Sequence, residues 1–239
     1  MASEVLYAVI PAYNESENIE ALVDEWAPVI RETGPEARLV VIDDGSKDNT
    51  FELLQALKER HGDVLEPLTK PNGGHGATLL HGYRHALDQG ADYVFQTDSD
   101  RQTLPSEFPQ FWEARSEADA IIGWRSARQD GFSRLVVTKV LKLVVRASFK
   151  VSAVDANCPF RLIAAEPLRQ ALAAIPPDHN LANVLLTVAL IRQGRRLRWI
   201  QVTFRPRQGG VNSINIPKIF GIGRRALRDF RDLARSAKN

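Results

Sequence analysis

VLYAVIPAYNESENIEALVDEWAPVIRETGPEARLVVID, residues 5–43, reads as strand, helix, strand. VLYAVI (5–10) and RLVVID (38–43) are short apolar runs rich in β-branched residues. Between them, residues 16–32 put Ile19, Leu22, Val23 and Trp26 on one helical face, with Ser16 as the expected N-cap. Two apolar strands joined by an amphipathic helix make the right-handed crossover of a parallel sheet. The alternation continues with a helix over 49–62, a strand over 64–68, a helix over 76–90 and strands over 92–97 and 119–124. The second half is less regular: an amphipathic stretch over 132–150, a turn into a short extended piece over 155–163, an apolar helix over 181–194, a strand over 196–206, a loop over 207–215 and a helix over 216–238. The expected fold is α/β, a mainly parallel sheet flanked by helices, with amphipathic helices in the C-terminal half. One domain is expected over 1–239.

The 239 residues are 44% apolar and 25% charged, ordinary for a globular chain. Cys158 is the single cysteine, so no intramolecular disulfide forms, which fits a reducing compartment. No leader peptide and no membrane-spanning segment are expected, because no basic-then-apolar start and no run of about 18 apolar residues occurs. The net charge of +2 conceals a split. Residues 1–120 carry 9 Lys/Arg and 23 Asp/Glu, net −14, whereas 121–239 carry 22 and 6, net +16. Such asymmetry suggests two kinds of partner on one molecule.

In a parallel sheet, ligands bind beyond the carboxyl ends of the strands. Residues 11–15, 43–46 and 98–102 fall there. Asp98 and Asp100, in QTDSDRQT, stand at i and i+2 just past a strand. Their mutual repulsion falls if a divalent cation lies between them, and carboxylate oxygens suit Mg²⁺ or Mn²⁺. Gln102 offers an amide oxygen nearby; a bare helix-capping turn is the bland alternative. Asp43 and Asp44 end the second strand, where a carboxylate can accept from a base or ribose hydroxyl. KPNGGHGAT (70–78) is a glycine-rich turn before a helix, a candidate phosphate neighbour through its amides. It lacks the Lys-plus-hydroxyl ending of a P-loop, and no G-x-G-x-x-G follows the first strand. His81 and His85 stand at i, i+4 without a further clustered ligand and read as ordinary helix surface; Trp26 and Trp112 read as packing, and Trp124, beside Arg125, as a neighbour of the site.

VIPAYNESENI, VVIDDGSKDNT, NGGHGAT, QTDSDRQT and GWR, in this order, resemble the inverting glycosyltransferases of family 2, with the polyprenyl-phosphate sugar transferases of the dolichyl-phosphate mannosyltransferase type the most similar group. The resemblance spans most of residues 5–163. It implies a GT-A fold, Rossmann-like, with residues 1–125 as the nucleotide-sugar and metal half and 126–239 as the acceptor and membrane-facing half. It further implies that Pro11, Tyr13, Glu15, Asp43, Asp44 and Asp98 surround the donor, and that Asp98, Asp100 and Gln102 hold Mg²⁺ or Mn²⁺. Arg125 and one or more of Arg205, Arg207 and Ser213 would lie near phosphates. Two departures stand out: Arg101 where the family often has an apolar residue, and Cys158-Pro159 where many relatives have Ser-Gly.

Such a reaction needs a neutralised leaving group and a deprotonated acceptor. A hydroxyl acceptor needs a general base, for which Asp155 is the candidate by position. A phosphate acceptor needs cations instead, and Arg125, Arg128 and Arg134 are available. The expected function is sugar transfer from a nucleotide diphosphate sugar, GDP-mannose or UDP-hexose, to polyprenyl phosphate. The rivals are a hydroxyl acceptor and a silent nucleotide-sugar-binding adaptor. The stretches 134–150 and 219–235 each pair a basic arc with an apolar one. They suggest an anionic membrane surface on the cytoplasmic side or, for the second, a membrane-protein subunit. Nucleic acid is not expected, since aromatics do not interleave with the basic residues.

Overall fold

The computed structural model describes residues 4–125 and 151–205. The stretches expected as helices over 132–150 and 216–238, and the loop 207–215, lie outside the described residues. In chain order the elements are β1 (Leu6–Ala12), α1 (Ile19–Arg31), β2 (Arg38–Asp43), α2 (Thr50–His61), β3 (Leu65–Thr69), α3 (His75–Asp88), β4 (Tyr93–Gln96), the short α4 (Pro109–Glu113), β5 (Ala120–Arg125), β6 (Arg161–Ala164), α5 (Ala165–Ala173), α6 (Ala182–Arg192) and β7 (Leu197–Val202). Strands from both halves of the chain share one sheet, in the order β3-β2-β1-β4-β6-β5-β7. Among the described residues no helix is long and apolar enough to cross a membrane.

Every residue of β1 is buried, which explains its unbroken apolar sequence. Alternation along the strand sends Leu6, Ala8 and Ile10 to a core shared with α1 and α2. Tyr7 and Val9 enter a second core with α3, α5 and α6 on the other face. In the first core Trp26 lies 5.4, 6.3 and 6.0 Å from the rings of Phe95, Phe108 and Phe160, so it is a packing residue as expected. On the second face α3 approaches the sheet closely: a Cβ on Gly82 would lie 2.4 Å from Val9 and 2.5 Å from Ile42. That contact fixes where the N-terminus of α3 meets the sheet edge.

Chain order reverses between β1 and β4, with β2 and β3 on one side of β1 and β4 on the other. The crevice beyond this switch point is where an open α/β sheet receives a ligand. The strand β6 runs antiparallel to both β4 and β5, pairing Gln96 with Arg161 and Ile122 with Arg161. A reversed strand presents its preceding loop, not its following one, at the carboxyl edge. Residues 155–160 therefore reach the same edge as the ends of β1, β2 and β4.

Two local readings are corrected. Ser16 does not cap α1; the cap position is Asn18, and the Ser16 amide donates to Asp48 Oδ2 at 3.2 Å. The amides of Asn14, Glu15 and Ser16 all bond the neighbouring loop, and the helix begins only after them. The helix α5 has no counterpart in the sequence reading: it is nine residues long with Pro167 in its first turn, and buries only Pro167, Leu168, Ala171 and Leu172.

Candidate active site

The loop after β1 is stitched to the loop after β2. Asn14 N–H donates to Ser46 Oγ (2.9 Å), Lys47 N–H to Asn14 Oδ1 (2.8 Å) and Glu15 N–H to Thr50 Oγ1 (3.0 Å). Asn14 sits at φ 52°, a left-handed conformation that asparagine tolerates better than most residues. Pro11 is buried within β1, Glu15 is buried with Oε2 accepting from Asn18 Nδ2 at 2.8 Å, and Tyr13, just past β1, is 42% exposed.

Asp43 and Asp44 are both buried. Asp43 accepts from the Ser46 amide and from Thr69 Oγ1 at 3.0 Å. Asp44 accepts from Lys70 Nζ and from the amides of Gly73 (2.9 Å) and Gly74 (2.8 Å). Burial disfavours its charge, but the Lys70 and Thr78 side chains and the two amides more than offset that and hold its pKa below the ordinary value. These bonds narrow one expectation: the amides of Gly73 and Gly74 grip Asp44, so those two are not open phosphate donors.

Past β4 the chain turns sharply. Thr97 and Thr103 hydroxyls meet at 2.7 Å across the base of the loop that carries Asp98, Asp100 and Gln102. Asp98 Oδ1 accepts from His75 Nε2 at 2.9 Å, and Asp100 Oδ1 accepts from the Gln102 amide at 3.1 Å. Burial works against charge on Asp98, yet His75, Arg125 and Arg161 lower its pKa. The reciprocal effect, with Asp100 and Asp44 adding to it, raises His75 despite desolvation. Arg101 takes φ 56° and pairs with Glu25 of α1, to which Arg205 also lies within 3.5 Å. Gln102 and Arg205 exchange two bonds: Arg205 N–H to Gln102 O (2.7 Å) and Gln102 Nε2 to Arg205 O (2.9 Å). Arg205 is thus a brace for the Asp98–Gln102 loop in addition to any anion contact. Among the described residues no three His, Cys, Asp or Glu side chains converge as a complete metal cage.

On the other side of the crevice Asp155 and Arg125 form a two-pronged ion pair, Nε to Oδ2 at 2.8 Å and Nη2 to Oδ1 at 3.0 Å. Asp155 Oδ1 also faces the Asn157 amide at 3.3 Å. Arg161 lies wholly buried beneath this loop. It donates to the carbonyls of Cys158 (3.0 Å), Asn183 (3.0 Å) and Ala156 (3.3 Å) and to Thr187 Oγ1 (3.3 Å). Burial pushes the Cys158 thiol up to about 12, so it is a small core residue and not a nucleophile. Trp124 is half-buried on β5, and His85 pairs with Glu66 at 2.6 Å, away from the carboxylates above.

Asp98, Asp100, Gln102, Asp43, Asp44, Glu15, Tyr13, Arg125, Asp155 and Arg205 are therefore brought to one edge by the sheet. Arg128, Arg134, Arg207 and Ser213 lie outside the described residues. Sequence reasoning missed His75, Lys70 and Arg161. His75 stood inside the quoted NGGHGAT, but only its glycines drew attention.

The family model described as glycosyl transferase family 2 matches residues 7–173. An undecaprenyl-phosphate 4-deoxy-4-formamido-L-arabinose transferase of Pseudomonas aeruginosa (strain LESB58) is 32% identical over 160 residues, 66% of this chain and 46% of that protein. Its namesake from Pectobacterium atrosepticum is 30% identical over 155 residues, 64% of this chain and 46% of its own. The chain thus spans about half the length of these curated relatives. Glucosyl-3-phosphoglycerate synthase from Mycobacterium tuberculosis, in complex with Mn²⁺ and UDP-glucose, superposes with a TM-score of 0.70 at 17% identity, over 98% of this chain and 80% of that one. The shared fold is the GT-A type, and the family match runs from β1 through α5: this chain belongs to glycosyltransferase family 2.

Proposed function

We propose that the chain is a metal-dependent inverting glycosyltransferase that moves a sugar from a nucleotide diphosphate sugar, GDP-mannose or UDP-hexose, to polyprenyl phosphate at a membrane surface. The observation that carries the acceptor choice is the Asp155–Arg125 pair. Both carboxylate oxygens accept from the guanidinium, so Asp155 is already engaged as the anchor of Arg125 and not aimed at an acceptor hydroxyl. A phosphate monoester needs no base. Its second pKa is near 6, so at neutral pH it is already mostly dianionic. Its oxygen attacks the anomeric carbon, the bond to the donor diphosphate breaks with inversion, and the nucleoside diphosphate leaves. The undecaprenyl-phosphate acceptor named for the curated relatives supports the same choice.

Asp98 and Asp100 fit a hard divalent cation. Their oxygens are the right donor class, they stand one residue apart past β4, and no described residue bonds Asp98 Oδ2. Gln102 and the donor diphosphate would complete the set. Such a cation neutralises charge developing on the leaving diphosphate. The Mn²⁺ and UDP-glucose bound by the structural neighbour support this reading. Tyr13, exposed just past β1, suits stacking against the nucleobase, next to the wall made by Glu15, Asp43 and Asp44. Arg125 would face the phosphates, with Arg128, Arg134, Arg205, Arg207 and Ser213 as further acceptor contacts.

Asp155→Asn discriminates the acceptors. With a phosphate acceptor, transfer is expected to fall less than about 10²-fold, by loosening Arg125. A lost general base costs about 10²- to 10⁴-fold. Single-turnover rates measure the difference, and a larger loss accompanied by transfer to a soluble sugar would favour a hydroxyl acceptor.

Residues 134–150 and 219–235 are proposed to hold the protein peripherally on an anionic membrane face, each nearby Lys or Arg adding about 1 kcal/mol. Flotation with anionic vesicles at low salt is expected to carry the protein upward, with release as salt rises. Protein left at the bottom of the gradient would contradict the membrane role.

A further inference from the structure

His75 is the first residue of α3, and its backbone is clamped from both sides. On the N-terminal side the amides of Gly73 and Gly74 are tied to Asp44, and Gly74 takes φ +86°, which favours glycine. On the C-terminal side Gly76 has no room for a side chain: a Cβ there would lie 2.3 Å from His179 O and 2.7 Å from the Asn180 carbonyl carbon. Held this way, the half-exposed imidazole meets Asp98, 23 residues on, at 2.9 Å. An ionised carboxylate only accepts, so Nε2 carries the hydrogen.

We propose that His75 is a positioning residue: its Nε2–H fixes Asp98 Oδ1 so that Oδ2 faces the divalent cation held by Asp98 and Asp100. This rests on the metal reading above. A histidine N–H against a carboxylate ligand constrains that ligand's rotamer, and loss of such an outer partner typically weakens metal binding about 10- to 100-fold. The sequence alone gave no sign of it, because only the fold brings residue 75 to residue 98.

The test is Mn²⁺ binding to the full chain without substrates, read from the electron paramagnetic resonance signal of free Mn²⁺. His75→Ala is expected to weaken binding about 10- to 100-fold. His75→Gln, whose Nε2–H has a similar reach, is expected to restore most of it. If the Ala variant melts early, His75→Asn, with its donor too short to reach, serves the same comparison. Binding unchanged or tighter in the Ala or Asn variant overturns the inference, as does a Gln variant as weak as Ala. A wild-type chain that binds no more Mn²⁺ than Asp98→Asn overturns the metal reading, and this inference with it.

Discussion

Replacing Asp98 or Asp100 by alanine is expected to cut sugar transfer by about 10³-fold or more, and EDTA is expected to reproduce the loss in the unmodified chain. A bound cation contributes several kcal/mol of charge stabilisation, and each 1.36 kcal/mol is a factor of ten. The two carboxylates stand at the switch-point edge between β1 and β4, on a loop braced by Thr97–Thr103, Gln102–Arg205 and Arg101–Glu25. With so many bonds holding the loop, alanine at either position removes the ligand without removing the loop. Initial rates with a labelled nucleotide sugar measure the effect. Added Mn²⁺ should rescue the EDTA-treated protein but not the variants. Full activity in EDTA after exhaustive dialysis would refute the metal role.

The second large effect is on stability. Arg161→Met is expected to destabilise the fold by about 3 kcal/mol or more. The guanidinium is wholly buried and serves the carbonyls of Ala156, Cys158 and Asn183. Methionine fills much of the volume but donates nothing: the Cys158 carbonyl loses its guanidinium bonds, while those of Ala156 and Asn183 are left to share the one Thr187 hydroxyl. An unsatisfied buried acceptor costs about 1–3 kcal/mol. For a chain of this size, 3 kcal/mol corresponds to a melting temperature lower by about 6–12 °C. Transfer should fall as well, because the same carbonyls shape the loop that carries Asp155 to Arg125. A melting temperature within about 2 °C of wild type, less than 1 kcal/mol, would show that water replaces the guanidinium without cost.

The strands β1 to β4 and helices α1 to α3 were legible from their apolar patterns: an unbroken run in LYAVIPA, buried on both faces, and a 3.6-residue stripe in IEALVDEWAPVIR. The strand β6 was legible only as an extended piece. Its four residues, RLIA, are alike in either direction, and its antiparallel sense comes from pairing with β4 and β5. That sense is what brings Asp155 to the crevice. The helix α5 was hidden by its short length and its proline. The candidate site divides the same way. Asp98 and Asp100 were legible as an acidic pair just past a strand, with a helix-capping turn as the alternative. The partners of Asp98, Asp44 and Asp155 were not: His75, Lys70 and Arg125 lie 23, 26 and 30 residues away in the chain. Position suggested that Asp155 is a base; only the fold reveals the guanidinium against it. Likewise Gly73 and Gly74 advertise a phosphate turn, and only the fold shows Asp44 already on their amides.

The acceptor is decided by a comparison with the purified chain, Mn²⁺, and GDP-mannose or UDP-hexoses, offered polyprenyl phosphate in anionic vesicles and soluble sugars in parallel. A lipid-linked sugar phosphodiester with inverted anomeric configuration is expected from at least one donor, with no transfer to soluble hydroxyls. Transfer to a hydroxyl acceptor with none to polyprenyl phosphate, or retention of the donor's anomeric configuration, would contradict the proposed function.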